Sequence, residues 1–191
     1  MLKKTLLAAV VLGLSATAVQ ADEVSGYLSG NVGQSDTKGG GTDTAYKIAV
    51  GLQANQYVAL EAQYIDLGEG KAKAYVAVDD VTVRAKGAFD TKGFGANLVG
   101  TLPLDDFKLF GKVGYHRLET KGTVKGTATK GTQTLNFKVK DKTNEWVPSF
   151  GVGASYAFTP AIEVVAEYER YKKVADSYDV DLASIGLRYN F

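Results

Sequence analysis

Apolar and polar residues alternate one by one along most of the chain, and the pattern is clearest at its end. Ala183, Ile185, Leu187, Tyr189 and Phe191 alternate with small or polar residues. Successive side chains of a β-strand point to opposite faces, so this alternation predicts a strand with one apolar and one polar face. A terminal strand that ends on an apolar ring is typical of a strand facing lipid, with the ring at the membrane boundary.

The same alternation recurs along the chain and predicts eight strands in all. The predicted strands are residues 24–34, 45–53, 57–67, 90–102, 107–117, 145–158, 161–171 and 180–191. Three short turns, at 54–56, 103–106 and 159–160, alternate with four longer polar connections. Two pairs of valines, Val76 with Val78 and Val81 with Val83, are each two residues apart within 68–88. They predict that this connection is a hairpin projecting beyond the membrane. The rhythm of short turns and long loops is typical of an up-and-down barrel.

The composition of the two faces distinguishes a membrane barrel from a soluble one. One face of the predicted strands carries aliphatic and aromatic residues, and the other carries Gly, Ser, Gln, Asn, Lys, Glu and Arg. A soluble ligand-binding barrel is apolar inside and polar outside. The strands also match the ~9–11 residues that a tilted strand needs to cross a bilayer. The sequence therefore predicts an all-β fold, an eight-stranded antiparallel up-and-down transmembrane β-barrel.

The N-terminus carries the features of a secretory signal peptide. Lys3 and Lys4 precede the apolar run Leu6–Leu14, and small residues lead to a cleavage site after Ala21, with Ala18 as the alternative. The apolar run is too short to span a bilayer. We expect export through the periplasm and insertion into the outer membrane.

Composition adds limits to this interpretation. We divide the chain into a signal peptide, residues 1–21, and a barrel domain, residues 22–191. The barrel domain has no Cys, one His and a near-neutral charge, which gives no argument for nucleic acid as a partner. It also has no apolar run long enough for a transmembrane helix, so a membrane protein must be a closed barrel.

Three segments resemble the OmpA-type family of small outer-membrane barrels: residues 59–68, 151–160 and 186–191. The resemblance covers essentially the whole barrel domain and implies a location in the outer membrane of a Gram-negative bacterium. It implies as partners the outer-membrane lipids including lipopolysaccharide, the periplasmic chaperones and the barrel-insertion machinery. Tyr189 and Phe191 resemble the terminal signal that this machinery reads.

Six charged residues fall on the polar face and are expected inside the barrel. They are Glu61, Lys112, Glu163, Glu167, Glu169 and Arg188. Enclosed charges must be paired or hydrated, and eight strands leave an interior just wide enough for side chains. We expect Arg188 to pair with Glu163, and Lys112 with Glu167 or Glu61, in a network that plugs the lumen. The alternative is a narrow porin-like path for ions or small solutes.

The connection between residues 117 and 142 concentrates positive charge. Its lysines are Lys121, Lys125, Lys130, Lys138, Lys140 and Lys142, against the acids Glu119 and Asp141. One hypothesis is contact with phosphates of lipopolysaccharide or with polyanions on another cell. The other is an exposed hairpin that its lysines keep soluble.

Candidate catalytic chemistry is sparse. His116 is the one histidine, and Ser149 on the next predicted strand is the serine within reach of it. A lipid-modifying enzyme needs such a pair and an orienting acid, so we rank this function third, after a structural surface role and a channel. We expect a monomer with no enzyme activity, no cofactor and no metal site.

Aromatic residues fall near both ends of the predicted strands, which is typical of the two membrane interfaces. The predicted turn-side band is Tyr57, Phe107, Phe158, Tyr189 and Phe191; the predicted loop-side band is Tyr46, Tyr64, Tyr115, Trp146, Tyr168 and Tyr171. Proline cannot donate to a strand ladder, so Pro148 is expected at the outer rim above the lipid, at a bulge.

Overall fold

The computed structural model describes residues 25–37, 41–78, 81–130, 133–174 and 178–191. The predicted signal peptide lies outside these ranges. The strands are β1 Ser25–Thr37, β2 Gly41–Asn55, β3 Val58–Val78, β4 Val81–Leu104, β5 Phe107–Lys130, β6 Gln133–Thr159, β7 Ile162–Val174 and β8 Tyr178–Asn190. In the described part of the chain, no helix is long and apolar enough to cross a membrane.

The eight strands close into a barrel in chain order, each antiparallel to its neighbours. Closure is made by β1 and β8, which pair from Tyr27 with Asn190 to Thr37 with Val180. Two further backbone bonds of 2.9 Å join Gly26 and Phe191. The structure thus confirms the predicted up-and-down barrel, which leaves no free edge along its wall.

Two-residue turns lie at one end of the barrel, which we name the turn rim; the opposite end is the loop rim. The turns occupy 56–57, 105–106 and 160–161. Side chains fix two of them locally: the Asn55 carboxamide oxygen accepts bonds from the backbone N–H groups of Tyr57 and Val58, at 2.8 and 2.9 Å, and Thr159 Oγ1 accepts one from Ile162 at 3.0 Å.

The barrel is apolar outside and polar inside, as the alternation predicts. Leu60 is 61% exposed and Leu187 59%, whereas Glu61 is fully enclosed and Arg188 is 4% exposed. The predicted aromatic bands lie on the outer face with one exception. Tyr171 is completely buried in the interior, so its assignment to the loop-side band is wrong. It follows Glu167 and Glu169 at every second position, and this spacing gives it their inward direction.

Four strands are much longer than the barrel needs. Pairing of β2 with β3 ends at Tyr46 and Asp66, and pairing of β6 with β7 ends at Ser149 and Tyr171. Beyond these points β3, β4, β5 and β6 continue to pair with one another as far as Val78–Val81 and Lys130–Gln133. We name this part, residues 69–78, 81–90, 121–130 and 133–142, the four-stranded extension. The connection 68–88 is a hairpin as predicted, and 118–144 forms a second one.

Pro148 lies on β6 at the loop rim, one residue beyond the last β6–β7 pair, and no register shift interrupts the β5–β6 ladder around it. Its position agrees with the prediction, but the structure has no bulge there. Ala157 donates its N–H to Asp106, so odd residues of β6 bond toward β5 and even ones toward β7. Pro148 therefore lacks its N–H on the side where β7 has already ended.

Candidate functional site

Five charged side chains meet at mid-height in the barrel, and we name them the central cluster: Lys47, Glu61, Lys112, Glu167 and Glu169. Lys47 Nζ lies 2.6 Å from Glu167 and 2.5 Å from Glu169. Lys112 Nζ lies 2.9 Å from Glu61 and 2.8 Å from Glu167. Each lysine thus bridges two carboxylates, and Glu167 joins the two halves.

Neutral side chains complete the coordination of Glu61. The Tyr27 hydroxyl donates to it at 2.8 Å and Asn97 Nδ2 at 2.9 Å, in addition to Lys112. Asn97 also donates to Gln63, at 2.9 Å. Tyr27 fits because Gly51 faces its ring: a Cβ at residue 51 would lie 2.1 Å from Tyr27 Cζ.

A second charged group, the rim cluster of Lys108, Glu163 and Arg188, lies nearer the turn rim. Glu163 pairs with Lys108 and lies 3.5 Å from Arg188. It also accepts bonds from Ser155 at 2.8 Å and Asn190 at 2.9 Å. The Arg188 guanidinium stacks over the Tyr27 ring, 4.3 Å from its centre.

Apolar residues enclose the central cluster from both sides. The lower apolar layer, toward the turn rim, consists of Tyr27, Ala59, Val99, Phe110 and Val165. The upper apolar layer, toward the loop rim, consists of Ala45, Ile65, Leu67, Leu118, Val147, Tyr171, Val174, Val180 and Leu182. Along the barrel axis the interior therefore alternates: rim cluster, apolar layer, central cluster, apolar layer.

The charges of the central cluster and the rim cluster balance in number. Four cations, Lys47, Lys108, Lys112 and Arg188, face four carboxylates, Glu61, Glu163, Glu167 and Glu169. Every one has an opposite charge within 4 Å, as buried ions require.

The structure places all six sequence-predicted interior residues on the inner face. Sequence reasoning missed Lys47, Lys108 and the hydroxyl of Tyr27 as partners. Both lysines lie at polar-face positions of their strands, so the alternation alone was a signal for them. Tyr27 was hidden because β1 alternates weakly and contains several small residues.

His116 and Ser149 are neighbours inside the barrel. Ser149 Oγ lies 3.1 Å from His116 Nδ1, and the imidazole meets the Tyr171 ring edge to face at 5.2 Å. His116 is fully buried, and within the described residues its Nε2 has no hydrogen-bond partner. The pair thus lacks an orienting acid on that nitrogen and access from outside. The described residues also contain no group of three metal-binding side chains.

The predicted cationic residues lie on the four-stranded extension. Lys121, Lys125, Lys138, Lys140 and Lys142 are exposed, and the side chain of Lys130 lies outside those that the structure describes.

At the base of the extension, the carboxylate of Glu119 forms ion pairs with Lys121 Nζ at 2.9 Å and with Lys142 Nζ at 2.8 Å. Hydrogen bonds from Lys142 and then Lys121 lower the pKa of this carboxyl to about 2.

Several solved structures share this fold at low sequence identity. Ail of Yersinia pestis, solved in complex with the heparin analogue sucrose octasulfate, is 18% identical, with a TM-score of 0.54 over 89% of this chain and 100% of that one. Neisserial surface protein A is 15% identical, with a TM-score of 0.53 over 88% and 97%. A major outer membrane protein of Thermus thermophilus is 10% identical, with a TM-score of 0.52 over 89% and 100%. No curated protein sequence matches the chain.

The family comparison covers nearly the whole chain. The sequence profile of the outer membrane protein beta-barrel domain matches residues 5–191. Together with the closed eight-stranded barrel and its apolar outer face, this match shows that the chain belongs to the outer membrane protein beta-barrel domain family.

Proposed function

We propose that this protein is a non-conducting anchor in the outer membrane of a Gram-negative bacterium, which holds the four-stranded extension at the cell surface for contact with other molecules. The observation that supports it is the layered interior. Apolar layers lie on both sides of the central cluster, and Lys112, at its centre, is held by two carboxylates.

Solute leakage tests this proposal against a channel. Purified protein in phosphatidylcholine vesicles should release an entrapped small dye no faster than empty vesicles, and planar bilayers should show no steady openings. A variant with Phe110→Ala and Tyr27→Ala, which removes the two rings of the lower apolar layer, serves as the loosened control. Reproducible openings of the unchanged protein whose conductance shifts with Lys112→Ala would contradict the anchor.

The same proposal includes export and assembly. The terminal Tyr189 and Phe191 are exposed on the outer face, and their ring centres lie 6.3 Å apart. Phe191 bonds to Gly26 through its backbone, and its ring covers this glycine without filling any part of the interior. We therefore expect Phe191→Ala to fold normally in detergent but to reach the outer membrane in smaller amounts in cells. Membrane fractionation measures this, with Phe158→Ala, another exposed turn-rim aromatic, as the matched control. Equal amounts of the two variants in the outer membrane would contradict a role of the terminus in recognition by the insertion machinery and the chaperones.

A further inference from the structure

On strands β4 to β6, the cations of the four-stranded extension whose side chains the structure describes lie on one face. The β4–β5 and β5–β6 ladders run from the turns to the tip with no register shift. The face that carries Phe94, Tyr115 and Trp146 at the loop rim is therefore continuous with the face above it. Among the described side chains above the loop rim, the cations on this outward face are Arg84, Lys86, Lys92, Lys121, Lys125, Lys138, Lys140 and Lys142.

The opposite face of the same strands carries apolar residues. It carries Phe89, Val124, Leu135, Phe137 and Val139, with Phe137 covering Gly126 and Phe89 covering Gly122. The strict division puts the cations on the side that looks away from the barrel axis, toward the surrounding leaflet. A solvated hairpin needs charges but does not need them all on one side.

Lysines of neighbouring strands lie directly opposite one another at one level. Lys86 pairs with Lys125, and Lys125 pairs with Lys138. With strands ~4.8 Å apart, the row spans about 10 Å. Like charges directly opposite one another destabilise a sheet. The lysines of this row therefore repel one another, and a bound anionic ligand would remove that repulsion.

Acidic residues neutralise the lower cations but not this row. Lys92 pairs with Asp66 and Asp90, and Lys121 and Lys142 pair with Glu119. In the part of the chain that the structure describes, Lys86, Lys125, Lys138 and Lys140 form no ion pair. The unneutralised charge therefore begins above the membrane surface and continues toward the tip.

The same level of the outward face forms a shallow cleft. Its lining includes Arg84, Lys86, Lys125, Thr127, Asn136 and Lys138. Thr127 donates to the Asn136 carboxamide oxygen at 3.1 Å, which leaves the amide N–H groups of Asn136 directed to other acceptors. The cleft thus combines cations with neutral donors, the groups that bind phosphate and carboxylate oxygens.

We propose that this lysine face binds the phosphate and carboxylate groups on the sugars of an anionic glycolipid in the same leaflet, the chemistry of lipopolysaccharide. The site rests on the proposed surface function and names its partner. Lys121 and Lys125 lie six and ten residues beyond Tyr115 of the aromatic band. On a strand tilted ~40° with ~3.3 Å per residue, this is about 15 and 25 Å above the band, the region of a glycolipid's sugars. The lateral direction of the face favours a neighbouring lipid over a polymer on another cell.

Energy transfer from Trp146 provides a direct readout, because Trp146 is the one tryptophan of the chain and lies on the outer face below the cleft. The full-length protein in phosphatidylcholine vesicles is titrated with dansyl-labelled lipopolysaccharide. We expect the variant K125Q/K138Q to need about 30-fold more lipopolysaccharide for half-maximal transfer. The control K172Q/K173Q removes the same charge from β7 and should shift the midpoint less than about twofold. Dephosphorylated lipopolysaccharide should bind the unchanged protein as weakly as K125Q/K138Q binds the intact glycolipid.

A variant that exchanges lysines and valines between the two faces keeps the net charge. It distinguishes binding of lipopolysaccharide in the same leaflet from binding of a soluble polyanion. Val124 and Val139 are cross-strand partners on the inner face, as Lys125 and Lys138 are on the outward face. Exchanging them (V124K, K125V, K138V, V139K) should abolish the preference for lipopolysaccharide and retain binding of soluble heparin. Heat-modifiable mobility on gels checks that each variant is folded.

Two outcomes would overturn the proposal: a midpoint for K125Q/K138Q within twofold of the unchanged protein, or face exchange that leaves lipopolysaccharide binding intact. Heparin binding lost with K125Q/K138Q while transfer from lipopolysaccharide is unchanged would instead identify a soluble polyanion as the ligand and also overturn it. Failure of the anchor appears in a different measurement, the dye leakage of the unchanged protein.

Discussion

At the scale of single residues, the packing of the interior depends on aromatic side chains that each lie against a glycine. Gly51 accommodates the Tyr27 ring, and Gly153 accommodates Phe110, whose Cζ would lie 2.4 Å from a Cβ there. Each ring thus lies over the glycine that pairs with it on the neighbouring strand. Glycine is needed at both positions because any Cβ would overlap an aromatic ring that has nowhere to move in a filled barrel.

This packing predicts that Gly51→Ala destabilises the barrel. The methyl group must displace the Tyr27 ring, so we expect a loss of about 1–3 kcal/mol in the free energy of unfolding. Urea unfolding in detergent micelles, followed by Trp146 fluorescence, measures it. The matched control is Gly30→Ala, at an outward glycine with nothing within 4 Å of its added Cβ. Equal stability of the two variants would show that the Tyr27 ring is free to move.

The central cluster predicts a larger effect for a removed charge. Lys112→Met leaves Glu61 and Glu167 with less positive charge in a buried site, which costs about 3–5 kcal/mol of unfolding free energy. Adding Glu61→Gln restores the balance and should recover part of this loss. The same urea titration tests both variants. A double variant as unstable as the single one would mean that the cost comes from lost packing of the lysine stem rather than from charge.

Glu119 predicts a pH dependence at the base of the extension. Its pKa is about 2 in the folded protein, below the ordinary value of 4.5. Its bonds to Lys121 and Lys142 are therefore complete above pH 4.5 and are lost as the pH falls through about 2. The side-chain carboxyl carbon shift of Glu119, followed by NMR from pH 6 to pH 2, should show a midpoint near the lower value. With Lys142→Gln the midpoint should rise, and a midpoint near 4.5 in the unchanged protein would contradict the pairing.

At the scale of elements, strands β3 to β6 each cross two environments. Below the loop rim their outward face carries aromatic and aliphatic residues, and above it the described outward side chains are mostly charged or polar. The register is unbroken on β4 to β6, so the same alternation of inward and outward side chains continues from the barrel into the four-stranded extension. The change from apolar to cationic residues on one face, rather than any change in pairing, marks where the apolar band ends.

The extension should be separable from the barrel, because the ion clusters and both apolar layers lie below it. Replacing residues 69–90 and 121–142 by Asn-Gly turns should change the free energy of unfolding by less than about 1 kcal/mol, since distant sites contribute independently. The control Leu118→Ala removes a side chain from the upper apolar layer and should cost about 2–5 kcal/mol. Urea unfolding compares the two. A shortened chain that fails to refold would show that the barrel depends on its extension.

At the scale of the whole molecule, closure and layering act together. Closure removes the free edges of the barrel wall and encloses eight charges, and the two apolar layers separate the central cluster from both rims. A barrel of this size is filled by its side chains, so the proposed surface role depends on the parts that project above the loop rim.

The sequence by itself determined the number of strands, the direction of most side chains, with Tyr171 as an exception, and the inversion of the barrel. These properties depend on a two-residue period and on turns that are local in the chain. For the same reason it identified Glu61, Lys112, Glu163, Glu167, Glu169 and Arg188 as interior residues. It predicted the hairpin of residues 68–88 from its valines, but it did not find that β5 and β6 continue through 118–144, because a polar strand paired in water has the composition of a loop.

Only the tertiary structure decided which residues meet across the lumen and across strands. Lys47 reaches Glu167 and Glu169 because closure brings β2 opposite β7, more than a hundred residues away. Tyr171 lies in the upper apolar layer, where its hydroxyl accepts a hydrogen bond of 2.7 Å from Gln63 of β3. The row of Lys86, Lys125 and Lys138 exists because the register of two long hairpins aligns them, and register between strands depends on all the pairs below it.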